Sequence, residues 1–208
     1  DGFFLSHAHG DHTGGAADRV AFSAGPVDLH GVPAYLPAAL PCPSTKPQIV
    51  DGPRALATGM ASLGPLTLPT FLTGDVTEQS LAVDVAGKGL VLIIGCGHPG
   101  LWRIVERAEA LFDRPVYGVV GGLHLPATDA RQRTLGVPLM RYLLIDGYPW
   151  QPVSKDHVHR AIADLRPRQP GLVAVSGHDS CDWTLGAFRE AFGAAYRDIR
   201  VGEEIVVA

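Results

Sequence analysis

Ser6-His7-Ala8-His9-Gly10-Asp11-His12-Thr13-Gly14-Gly15 follows directly on the apolar run Gly2-Phe3-Phe4-Leu5 and crowds three imidazoles and a carboxylate into the stretch from His7 to His12. Neutral imidazole nitrogens and carboxylate oxygens suit zinc, manganese or iron. Just past a strand, alternating His7 and His9 reach one ion while Asp11 and His12 turn toward a second, so the spacing predicts two metals side by side. An ordinary polar loop has no reason to concentrate such ligands. A purification tag is homopolymeric and flanked by linker, whereas this array is interleaved with small residues. Gly14 and Gly15 allow a tight turn behind it.

Four ligands from one stretch do not fill two coordination shells, so other strand ends must contribute. His98 follows the buried-looking run Leu90-Val91-Leu92-Ile93-Ile94-Gly95, and His178 repeats the arrangement after Leu172-Val173-Ala174-Val175-Ser176-Gly177. A histidine just beyond a strand, with glycine beside it, is what delivery of a ligand to a shared rim requires. The expected metal ligands are therefore His7, His9, Asp11, His12, His98 and His178. His124, in Gly121-Gly122-Leu123-His124, shares the strand-end context and is expected as a further ligand, a contact to substrate anions or a proton donor. Cys96 is a soft-metal ligand or a buried bystander thiol, Asp75 a ligand or a turn carboxylate, and Asp179 a surface carboxylate or a hydrogen-bond partner of a ligand or a loop amide. His30, His157 and His159 receive no role. The last two stand two apart on a predicted helix and face different ways.

Around these motifs, residues 3–5, 66–72, 81–85, 90–94, 116–120, 172–175 and 205–207 read as strands, and 101–112, 153–165 and 183–192 carry helical spacing of apolar residues. The stretch 25–53, with seven prolines, reads as irregular loop outside the core, a wall or lid of the site. A chain of 208 residues, 46% hydrophobic and 18% charged, buries one substantial core as a single domain, 1–208. A net charge of -4 without a basic stripe argues against nucleic acid as a partner. No apolar run is long enough to cross a bilayer, and no secretory signal leads the chain. Three scattered cysteines, Cys42, Cys96 and Cys181, make no disulfide framework, which points to a reducing cytoplasm.

The stretch from Ser6 to Gly15 resembles the second motif of the metallo-β-lactamase superfamily. Gly95-Cys96-Gly97-His98-Pro99-Gly100, Gly121-Gly122-Leu123-His124-Leu125 and Ser176-Gly177-His178-Asp179-Ser180-Cys181 resemble later motifs of its dihydropterin-aminobenzene-phosphate synthase-like branch. The resemblance implies an α/β fold, the αββα sandwich of that superfamily, with the first strands of its N-terminal sheet missing ahead of Asp1. It also marks two departures. The usual bridging aspartate is replaced by Cys96-Gly97-His98, and the residues after His178 differ from the branch's His-Cys-Thr-Gly order. Residues 202–207 resemble the closing strand of the fold.

Together these readings predict a metallohydrolase in which a metal-bound hydroxide cleaves an ester, lactone, lactam or phosphoester bond of a small molecule, phosphorylated substrates included. The expected cofactors are two Zn2+ ions, with Mn2+ or iron as alternatives. Asp11 holds the second metal or orients the nucleophile, and His124 protonates the leaving group or stabilises charge. Two other classes compete: a decayed metal-binding scaffold without turnover, and an iron redox enzyme of the same fold. Redox members resemble H-x-E-x-D, whereas this chain has His9 at the glutamate position.

Overall fold

The computed structural model describes residues 1–13, 32–40, 45–70, 74–130, 136–137, 141–142 and 151–207. Gly14, Gly15, His30 and Cys42 lie outside them, as does much of the expected lid.

Two sheets carry the fold. The smaller is parallel, in the order β1 (Phe3–Phe4), β2 (Ala34–Leu36), β3 (Pro47–Ile49). The larger has seven strands: β4 (Arg54–Ala57), β5 (Met60–Leu68), β6 (Val76–Val85), β7 (Gly89–Ile94), β8 (Val116–Gly121), β9 (Leu172–Val175) and β10 (Tyr196–Asp198), laid side by side in chain order. From β4 to β7 neighbours run antiparallel, and from β7 to β10 they run parallel. Parallel neighbours need a crossover. Three helices supply them: α1 (Leu101–Phe112), α2 (Lys155–Leu165) and α3 (Asp182–Phe192).

The helices share one core with the larger sheet. Leu101, Ile104, Val105 and Ala108 recur at helical spacing along α1 and meet Leu90, Leu92 and Ile94 of β7, Val173 and Val175 of β9, Val158 and Ile162 of α2 and Phe188 of α3. The two-residue period of a strand turns Val91, Leu172 and Ala174 to the opposite face. Gln79 of β6 joins the sheets. Its side-chain amide donates to the Leu5 and Tyr35 carbonyls at 2.8 and 3.2 Å, and its backbone N–H donates to Ser6 O at 2.9 Å. None of the described helices is long and apolar enough to cross a membrane.

Several expectations need correction: the strand expected at 66–72 is the end of β5, which starts at Met60 and stops at Leu68, and the one expected at 81–85 is the second half of β6. Residues 205–207 form no strand; the sheet closes with β10 at Tyr196–Asp198. Ile205 and Val207 lay their side chains on the face formed by Val91, Leu172 and Ala174 without joining a ladder, so their alternation reports burial rather than pairing. The stretch 25–53 is not all loop, since β2, β3 and buried Val50 lie inside it. Proline masked these strands, yet Pro47 stands at the first position of β3, where a missing N–H is tolerated.

Candidate metal centre

Topology gathers the predicted ligands. Ile94 is in register with Gly121, and Gly121 with Val175, so β7, β8 and β9 end level with one another. The loops that leave them stay paired, with Gly122 N–H donating to Gly95 O at 2.8 Å and Ser176 N–H to Gly121 O at 2.7 Å. Ligands in an open sheet with parallel strands collect at such carboxyl ends. Gly121, at φ 136, must be glycine, because a Cβ there would collide with the Ile94 carbonyl. On the other side of the rim, Leu5 N–H pairs with Tyr35 O at 3.0 Å, and a turn in which His12 and Thr13 donate to His9 O folds the first motif over the strand ends.

The six expected ligands fall into two adjacent groups. His7, His9 and His98 form one, and Asp11, His12 and His178 the other, with the candidate donor atoms of each within 4.8 Å of one another. The His7 ring lies 4.7 Å from that of His9, 5.0 Å from His98 and 4.2 Å from His12, centre to centre. His178 Nε2 stands 2.9 Å from Asp11 Oδ2, and His12 Nε2 3.9 Å from the same oxygen. Ser6 Oγ binds His7 Nδ1 at 2.9 Å. His7 Nε2 is buried without a hydrogen-bond partner among the described residues, which suits a nitrogen kept for a cation, its tautomer set by the bond at Nδ1. The donor set fits two divalent cations of borderline softness.

Cys96 and Asp179 also enter the rim. The Cys96 thiol is buried, 3.1 Å from His12 Nε2, and belongs to two candidate groups, one with His7 and His12 and one with His178 and Asp179. Of the two readings of Asp179, the structure favours the hydrogen-bonding one over the surface carboxylate. Its side chain is only 11% exposed, with Oδ1 3.7 Å from His178 Nε2 and Oδ2 4.0 Å from His124 Nδ1. Its position beside His178 was the available signal. Buried His124 has φ 48, a left-handed conformation uncommon outside glycine and frequent at functional sites, and its ring is 4.6 Å from that of His98. Asp75 is exposed and joins none of the groups found among the described residues. His157 caps α2, its Nδ1 accepting the Ser154 N–H at 3.1 Å. His159 rests against Trp183.

Glu78, which the sequence reading passed over, organises the loop under these groups. It is buried in β6, with Oε1 accepting Gly97 N–H and Oε2 accepting His98 N–H, both at 2.9 Å. Gly95 leaves room for it, since a Cβ there would press on Ser6 and on Glu78 Oε1.

Electrostatics keep the imidazoles in the form a metal needs. Burial, reinforced by the neighbouring histidines, pushes His7 far below its ordinary 6.5, and burial also lowers His9 and His12. Burial opposes ionisation of Asp179, yet hydrogen bonds from His124 and Cys96 and the charges of His124 and His178 hold its carboxyl below the usual range. Burial raises the Cys96 thiol, and it lifts Glu78 to about 7 in spite of the two amide bonds.

A pH dependence follows for metal-free protein. Below pH 6.5 the unfolded chain protonates His7, His9 and His12 while the folded chain does not, so the unfolded state binds more protons and stability falls with pH. Glu78 acts the other way, but it is one group against three. Thermal melts of chelator-treated protein are expected to show Tm dropping steadily from pH 6.5 to about 5; a flat or rising Tm contradicts neutral buried imidazoles.

No protein-family model matches the chain. Its architecture is that of a solved metal-dependent hydrolase of the beta-lactamase superfamily, at TM-score 0.67 and 19% identity, over 99% of this chain and 78% of that one. The chain therefore has the metallo-β-lactamase fold. A stretch of 53 residues is 40% identical to 7,8-dihydropterin-6-methyl-4-(beta-D-ribofuranosyl)-aminobenzene-5'-phosphate synthase of Methanocaldococcus jannaschii. That stretch spans 25% of this chain and 18% of the relative's length.

Proposed function

We propose that the chain, acting as a single domain, hydrolyses an ester, lactone, lactam or phosphoester of a small molecule with two divalent cations, zinc first and manganese or iron as alternatives. One observation carries the reading: the His7, His9, His98 group and the Asp11, His12, His178 group share a rim, with the His7 and His12 rings 4.2 Å apart. Bound cations there supply Lewis acidity for the acyl or phosphoryl oxygen and acidify water at neutral pH.

The remaining work falls to this chain's own groups. Asp11 places a carboxylate between the second group's imidazoles, orienting water as well as ligating. Cys96, in two candidate groups at once, would offer a thiolate donor to a cation held there. Asp179 faces His124 Nδ1 and favours a proton on that atom, which fixes the ring for charge stabilisation or proton delivery to the leaving group. His9 in place of glutamate supports hydrolysis over iron redox chemistry. Cys96 and Cys181 are both free thiols, which supports a reducing cytoplasm as the setting.

Metal analysis of the purified protein, followed by phosphodiesterase, lactonase and β-lactam assays, tests the reading. The expected result is about two ions per chain and turnover of one substrate class, lost with chelator and regained with Zn2+ or Mn2+. Bound metal with no turnover across the panel assigns the domain to the scaffold class instead.

A further inference from the structure

A cavity of about 170 Å³ opens beside the metal centre, with His98 and His124 in its wall. It runs from the rim toward α1 and α2. Its apolar floor includes Leu101, Leu123 and Val153, and the Trp102 ring, 47% exposed, stands at its edge. None of these side chains is needed to hold a cation, and Trp102 is half open to solvent where a core residue would be covered.

Part of the lining is charged. Arg160 of α2 lines it, exposed and with no ion pair among the described residues. Asp164, one turn further along α2, is the acid in the lining. The first turn of α1 opens on the same space, its Gly100 end bearing no side-chain cap and no acidic residue. The cavity thus offers an apolar surface with a guanidinium beyond it, a pattern that matches an amphipathic anion.

We infer that this cavity is the substrate's second subsite, receiving an aromatic or aliphatic body against Trp102, Leu123 and Val153 and a terminal oxyanion, carboxylate or phosphate, at Arg160. The inference rests on the hydrolytic reading above and narrows it to small anionic substrates. The scissile bond lies over His98 and His124, and the oxyanion lies at Arg160. A guanidinium meets carboxylate and phosphate alike through paired N–H donors.

The test pairs Arg160→Ala with matched aryl esters that are neutral, carboxylated or phosphorylated at the far end of the ring. A lost charge-assisted hydrogen bond is worth about 10- to 100-fold. KM for the anionic esters is expected to rise by that factor with kcat held, the neutral ester to be unaffected, and Arg160→Lys to recover part of the loss. Whichever anionic ester the unmodified protein prefers separates carboxylate from phosphate. Equal losses on neutral and anionic esters, or no change on either, overturn the subsite. Binding of benzoate and phenylphosphonate to chelator-treated protein, followed by NMR, reads the subsite without turnover. Binding that Arg160→Ala abolishes supports it even if no ester is cleaved, and binding that the variant leaves intact refutes it.

Discussion

Alanine in place of His7 is expected to strip the protein of at least one cation and to lower hydrolytic turnover by about 10^3-fold, since Lewis-acid stabilisation is worth several kcal/mol. His7 is the most central of the candidate ligands. Its side chain is fully buried, its ring stands within 5.0 Å of the rings of His9, His12 and His98, and it joins candidate groups on both sides of the rim. Removing it takes one donor from the histidine group and opens the space that separates the two groups. The loss belongs to metal binding rather than to folding, because an unprotonated imidazole with a bare Nε2 contributes little to the metal-free fold. Metal analysis and circular dichroism of the variant separate the two, and His159→Ala, exposed on α2 and resting against Trp183, serves as the control. Full metal content and unchanged turnover in His7→Ala would remove the basis for the proposed centre.

Why the convergence of the candidate ligands could be read from the chain while their supports could not has a physical cause. His98, His124 and His178 each follow an apolar run that ends in glycine, and the structure turns those runs into β7, β8 and β9, which end in register. A ligand at a strand end leaves a local trace: an apolar stretch, small residues, then a donor. The helices were legible on the same basis, and α1 occupies 101–112 as its apolar spacing predicts.

What escaped reading depends on distant partners. β6 begins at Val76, ahead of the expected 81–85, and its early part carries Glu78, Gln79 and Ser80, all buried. Three polar residues in a row argue against a core strand when taken alone. They are buried because Gln79 pairs with the first strand's carbonyls and Glu78 with the loop after β7, contacts spanning 74 and 20 residues of chain. Which of its two readings Asp179 takes was not legible for a related reason, as the groups around it, Cys96 and His124, come from other strand ends. The 205–207 segment shows the converse error, in which local alternation was read as strand although its backbone joins no ladder among the described residues.

Glu78→Ala is the sharper test of how the rim is built, because Glu78 touches no cation site directly. Both carboxylate oxygens are taken up by the Gly97 and His98 amides, so alanine leaves two buried N–H donors without partners beneath the ligand loop. Each orphaned donor costs about 1–3 kcal/mol. The variant is therefore expected to lose about 3 kcal/mol of stability in urea melts and, with His98 no longer held, to bind metal about 10- to 100-fold more weakly. Glu78→Gln keeps the shape but presents one amide NH2 to a backbone donor, so it sacrifices one bond of the pair and its effect falls between wild type and alanine. A purely structural role predicts that stability falls in both variants while metal affinity, measured by competition with a chromophoric chelator on the folded fraction, stays at the wild-type value. A positioning role predicts that the two losses move together, graded from glutamine to alanine, since the same two amides that steady the loop aim the His98 imidazole at its partners His7 and His9.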